Sequence, residues 1–234
     1  MKTKYSTLGM AAVAATLATA SVSAQTSTFQ GPYLQLGIGY ESVTPTHDSS
    51  TLSLNGRSIP VSTSSTSTDN FVGVISAGWY QDIAKGFLLG VGVDFSPIAG
   101  STGTMSVTTQ SRLPSQNNVT NDYKYQKKYS YNIFLSPAMT VGDNGLAYAK
   151  VGYTGARVEN YNTLTYDFTG LSLGLGYKQI FRDGWYGFAE ANYADYGSQT
   201  ESATNPIAPG RTLTASGTNG LSTVNVLVGI GYKF

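Results

Sequence analysis

Cysteine is absent from all 234 residues, which excludes disulfides, thiolate metal sites and cysteine nucleophiles. Charge is scarce, with Asp, Glu, Lys and Arg making up 12% of the chain, about half the usual share. Histidine occurs once, at His47. Beyond the first two dozen residues no stretch approaches the roughly 20 apolar residues of a membrane helix. Helix-period patterning is missing too, and no basic stripe offers a surface for nucleic acid.

The N-terminus is distinctive. Lys2 and Lys4 precede an apolar run over residues 8–20, followed by Ser21-Val22-Ser23-Ala24. A basic start, a short apolar core and a small-x-small ending predict a secretory signal peptide over residues 1–24, cleaved after Ala24. The remaining domain is residues 25–234. Losing Lys2 and Lys4 takes the 14 basic residues to 12, against 13 acidic ones.

Across that domain, apolar and small residues alternate with period two, the signature of strands with two unlike faces. In residues 87–96, Phe87, Leu89, Val91, Val93 and Phe95 alternate with Leu88, Gly90, Gly92, Asp94 and Ser96. Similar runs start at Leu34, Leu171 and Val224. Residues 129–141, 146–155 and 185–196 follow the pattern less cleanly, while residues 71–80 are apolar on both faces and leave their register open. Eight strands are predicted.

A soluble sandwich would alternate as well, but its second face would meet water with Lys, Glu, Thr and Arg. Here that face is Gly, Ser and Asn with isolated charges. Small residues suit the inside of a narrow closed barrel whose apolar face meets lipid. The connections agree. Tight links at residues 81–85, 142–144 and 179–183 alternate with long ones at 43–69, 97–121 and 198–220. Short turns on one side and long loops on the other predict a transmembrane antiparallel up-and-down β-barrel with periplasmic turns and extracellular loops.

Aromatic spacing supports this. Phe87 and Phe95 are eight residues apart on one outward face, as are Trp185 and Tyr193. That separation spans ~26 Å along a strand, or ~20 Å along the normal after tilt, so each pair would mark the two membrane interfaces.

The ending then becomes specific. Val226, Val228, Ile230, Tyr232 and a terminal Phe234 alternate along the last strand. This resembles the signal that the outer-membrane assembly machinery reads on barrel proteins. The whole domain resembles the small eight-stranded outer-membrane barrels, the group of the OmpA membrane domain, OmpX and the porin-like opacity proteins. Residues 187–197, with an inward Glu190 followed by aromatics, look like the penultimate strand of that group. The resemblance implies a non-enzymatic monomer in the Gram-negative outer membrane, contacting its lipid and lipopolysaccharide. A structural or surface-interaction role would run through the extracellular loops and an extracellular ligand.

Chemistry is sparse. His47 is followed by Asp48, Ser49 and Ser50 in a Ser/Thr-rich loop, but triad members converge from separate elements rather than from neighbours. No catalytic, metal or cofactor site is expected. Polar lumen residues are predicted at Glu41, Asp94, Lys150, Lys178, Glu190 and Asn192. Lys150 and Glu190 fall at similar heights, either as a gate or as a buried ion pair. The loops read as flexible Ser/Thr tracts. Residues 104–110 and 123–129 keep a β pattern that would project as a hairpin, whose Lys124, Lys127 and Lys128 read first as a solvated charged face and second as a contact for anionic lipopolysaccharide. A narrow solute channel is the second function reading and a lipid-modifying enzyme the third.

Overall fold

The computed structural model describes residues 27–59, 61–109, 117–160, 165–208 and 210–234, so the expected leader, 1–24, lies outside the described residues. In chain order the strands are β1 (Gly31–Leu54), β2 (Arg57–Ile59), β3 (Val61–Ser65), β4 (Thr68–Ala84), β5 (Phe87–Ser96), β6 (Gly103–Thr109), β7 (Val119–Val141), β8 (Gly145–Asn160), β9 (Thr165–Arg182), β10 (Trp185–Ala208) and β11 (Arg211–Lys233). Eight of them close a ring in the order β1, β4, β5, β7, β8, β9, β10, β11. Every pairing is antiparallel, and β1 returns to β11 from Tyr33↔Lys233 to Leu54↔Leu213. Closure leaves the ring without a free edge, which lets a sheet cross lipid with its backbone groups satisfied.

The outer face is apolar. Leu171, Leu173, Leu175, Val226, Val228 and Ile230 are all more than half exposed on the isolated chain, as lipid-facing residues must be. The register of residues 71–80 is now fixed: Phe71, Ile75 and Trp79 point out, while Val72, Ser76 and Tyr80 are buried in the lumen. Both faces are apolar because this strand serves lipid on one side and a packed interior on the other.

The periplasmic turns are tight because their residues suit left-handed backbone. Asp183 and Gly184, at φ 35° and 83°, join Arg182 to its partner Trp185. That pair of positive φ values defines the hairpin turn favoured by Asp-Gly.

The long loops are corrected. Much of their length is strand rather than flexible coil. β1 and β2 form a hairpin through Asn55-Gly56, at φ 49° and 77°, another favoured turn dipeptide. β10 and β11 continue their ladder up to Ala208↔Arg211. The Ser/Thr tract at residues 61–65 is β3, paired with β6, which in turn pairs with β7 as the projecting hairpin expected there. Thr suits strands, and its hydroxyls bond across the ladder. Thr200–Thr218, Ser202–Ser216 and Thr204–Thr214 do so at 2.7, 2.8 and 3.0 Å. The tips are tied together where Asn55 N–H donates to Thr212 O and Thr212 N–H donates to Asn55 Oδ1.

Candidate functional site

The lumen is built in layers, and the lower ones are not the small-residue lining expected of it. Tyr33, Tyr80, Tyr148 and Tyr186 fill the periplasmic half together with Leu88, Leu146 and Ile180. The lumen glycines are what make room. Tyr148 pairs across the ladder with Gly176 and Tyr186 with Gly231, and a Cβ on either glycine would collide with the opposing ring. Tyr80 stands in the same relation to Gly90. Glycine weakens an isolated strand, but here it is the hollow into which a ring folds.

At the centre of this layer sits Lys178, 1% exposed. Its Nζ lies 3.7 Å from the Tyr33 ring centroid, 5.0 Å from Tyr80, 5.1 Å from Tyr148 and 5.0 Å from Tyr186. Four ring faces offer a buried ammonium the electrostatic contact that water would otherwise supply. The phenol hydroxyls are used as well. Tyr186 donates to Gln35 Oε1 at 3.1 Å, Tyr148 donates to Glu190 Oε2 at 2.7 Å, and Tyr80 shares a 2.8 Å bond with Ser136.

Above the tyrosines the charges gather. Lys150 Nζ donates to Glu190 Oε1 at 2.9 Å and to Asp94 Oδ1 and Oδ2 at 3.2 and 3.1 Å. The same ammonium stands 4.2 Å from the Phe134 ring. Asn192 donates to Glu190 Oε1 at 2.8 Å and to Asn225 at 2.9 Å, while Asn132 donates to Asp94 and accepts from Ser172. Three of the lumen charges predicted as isolated, Asp94, Lys150 and Glu190, thus form one network. Lys150 and Glu190, predicted at similar heights, are in direct contact.

Higher still, Glu41 pairs with Lys127, and both side chains are almost fully buried. This corrects the outward placement expected of Lys127, whether toward water or lipopolysaccharide. Tyr131 faces out, and simple alternation would send Lys127 the same way. A bulge between Lys127 and Tyr129 shifts the register of β7 against β8 and turns Lys127 inward. Lys128 is tied to Glu159 at 3.1 Å. Glu41 is thus paired with Lys127, and Asp94 and Glu190 share Lys150, while Lys178 lies among the tyrosine rings. Paired charges are what a low-dielectric interior demands.

Between these layers remains a cavity of about 60 Å³ that reaches Ser96, Asn132, Glu190 and Asn225. Outside the membrane the hairpins enclose a wider cleft of about 780 Å³, lined by Leu52, Val61, Val107 and Leu213 together with Ser, Thr and Asn side chains.

The remaining predicted residues sit on the outer surface. Phe87, Phe95, Trp185 and Tyr193 are all exposed there; Phe87 and Phe95 stand at the two ends of β5, while Trp185 opens β10 and Tyr193 lies within it, because β10 runs on to Ala208. In the terminal row, Val226, Val228, Ile230 and Phe234 face out, and Tyr232 makes edge contacts with Trp185 at 5.3 Å and Phe234 at 5.1 Å. His47 pairs with Asn219 in the β1–β11 ladder, and its side chain lies outside the described residues. Among the described residues no group of three or more His, Asp or Glu side chains is placed to hold a metal ion.

Residues 11–234 match the outer membrane protein beta-barrel domain family. The chain belongs to that family. No curated protein matches it. Among solved structures, the outer membrane protein OprG from Pseudomonas aeruginosa is 16% identical with a TM-score of 0.53, over 89% of this chain and 98% of that one. Neisserial surface protein A is also 16% identical, with a TM-score of 0.48 over 88% and 98% of the two chains. The outer membrane protease OmpT from Escherichia coli is 10% identical, with a TM-score of 0.46 over 89% and 98%. At these identities the OprG likeness is one of fold. The chain is an all-β outer-membrane barrel protein.

Proposed function

We propose that this barrel is a closed, non-enzymatic element of the outer membrane that works through its extracellular hairpins. The observation that carries the reading is the layered lumen, where Tyr33, Tyr80, Tyr148 and Tyr186 surround Lys178 and the Asp94–Lys150–Glu190 network lies directly above. A through-channel needs a wet passage lined by exchangeable polar groups. Here the charged groups are bound to one another. A lipid-modifying hydrolase needs a nucleophile and a base converging from separate elements. The described hydrogen bonds include no such pair. Lys150 and Glu190 are accordingly a structural ion pair rather than a gate.

Above the membrane, the tied hairpins and their cleft supply a built surface for an extracellular ligand. The C-terminal row from Val226 to Phe234 is the address read by the assembly machinery, and lipid and lipopolysaccharide surround the monomeric barrel. A deletion strain tests this when complemented with the full chain or with a chain in which residues 199–218 are replaced by a two-residue Asn-Gly turn. The trimmed barrel is expected to retain its heat-dependent mobility in SDS while failing to restore adhesion or detergent resistance. Full restoration by the trimmed chain would contradict a hairpin-borne function. A mass change in lipid A that depended on the protein would favour the enzyme reading.

A further inference from the structure

Residues that precede the first strand pack against the periplasmic end of the lumen. Ser27, Thr28, Phe29 and Gln30 form a turn, with Gln30 N–H donating to Ser27 O at 3.0 Å, and the turn carries the Phe29 ring up beneath the tyrosine layer. Phe29 is 3% exposed and meets Tyr186 edge to face at 6.4 Å between centroids. It belongs to the same buried cluster as Tyr33, Leu88, Ala138, Leu146 and Tyr148. Two tethers hold the turn to separate periplasmic hairpins. Ser27 N–H donates to the Asp82 carboxylate at 2.8 Å, close to the β4–β5 turn. Thr28 O–H donates to Asp143 O at 3.1 Å, in the β7–β8 turn.

We propose that residues 27–30 are a built-in stopper, a short strap docked across the periplasmic mouth that keeps water and solutes away from the lower lumen. Three features distinguish it from an ordinary strand lead-in. The strap bonds to hairpins distant in sequence. It turns its ring into the buried lumen cluster, and it flanks that one large ring with the polar Thr28 and Gln30. An aromatic ring fills a mouth that Ala138, Leu146 and Ile180 leave apolar, so exclusion of water is its physical consequence. Two hydrogen bonds and one buried ring hold the strap, so it can open without breaking any ladder pairing of the barrel.

This inference rests on the closed-lumen reading, and its test separates the two. The chain has no cysteine, so a single introduced thiol is the only target for a maleimide or methanethiosulfonate reagent. Ala138→Cys places that thiol on the lumen side of β7, 8% exposed, within the Phe29 cluster. In lipid vesicles with the periplasmic face accessible, Ala138→Cys is expected to resist a charged thiol reagent. Adding Phe29→Ala should speed labelling by about tenfold or more, and adding Asp82→Ala, which leaves the ring intact but cuts a tether, should do so to a smaller degree. Phe29→Leu should preserve protection. Ser172→Cys, on the extracellular side of the tyrosines, should label at a rate that none of these changes alters.

Each variant is checked for the heat-dependent gel shift of a folded barrel. If Phe29→Ala does not fold, the Asp82→Ala and Phe29→Leu pair decides alone. Equal labelling of Ala138→Cys with and without these changes overturns the stopper, whether the thiol is always open or always protected. Vesicles that stay electrically silent in that case leave the closed-lumen reading standing.

Discussion

Lys150 Nζ lies 2.9 Å from the Glu190 carboxylate, and each side chain is 2% exposed. The contact joins β8 to β10 across the interior, with Asp94 of β5 closing the triad. Removing one partner of a buried ion pair strands the other charge and costs about 3–5 kcal/mol. Lys150→Met should therefore lower the unfolding free energy in lipid vesicles by that order, read as urea loss of the heat-shifted gel band. Combining it with Asp94→Asn and Glu190→Gln should recover most of the loss. A Lys150→Met barrel as stable as the parent would contradict the pairing.

Gly231 and Tyr186 face one another across the β10–β11 ladder, with the ring filling the space of the missing side chain. Gly231→Val should destabilise the barrel by about 1–3 kcal/mol through overpacking. Refolding yield into vesicles should fall with it, and Tyr186→Leu in the same chain should restore yield. Gly210, where nothing lies within 4 Å of an added Cβ, is the control for steric fit, although its φ of 70° adds strain to any replacement.

Strand number, face and chain closure were legible because period-two alternation is strong wherever one face meets lipid. Three features were hidden, each for a physical reason. Residues 71–80 face lipid and a packed core at once, so apolarity carried no parity there. Lys127 defied alternation because one bulge reverses it. The lumen tyrosines are ordinary strand residues until the register sets Tyr148 against Gly176 and Tyr80 against Gly90, when each glycine becomes a socket. The extracellular hairpins did leave a signal, since Asn55-Gly56 is a hairpin dipeptide within a stretch whose Ser/Thr content suggested coil. Phe29 left none, because its site exists only once the barrel has closed and its strands have brought the lumen cluster together.

Above the membrane, Arg157 Nε and Nη2 donate to the two Asp167 carboxylate oxygens at 2.7 and 2.9 Å. Hydrogen bonding to Arg157, then its charge, holds the Asp167 carboxyl below the ordinary carboxylate value. A group whose folded pKa is depressed contributes stability above its unfolded pKa and loses it as pH falls through the folded one. The pair is exposed, so the contribution is small and screened by salt. Carbon-13 NMR of the Asp167 carboxyl should show titration below the ordinary range, returning to it in Arg157→Gln. An unshifted Asp167 in the parent would contradict the bidentate contact.

Side chains fill the lumen from the Phe29 turn to the Glu41–Lys127 pair, around a cavity of about 60 Å³. Single-channel recording in planar bilayers tests it most directly. The full barrel should give no discrete conductance steps in molar potassium chloride, and Lys150→Ala should create none of uniform size. Reproducible channels of defined conductance in the parent protein, altered by Lys150→Ala, would contradict the closed barrel and establish the lumen as a pore.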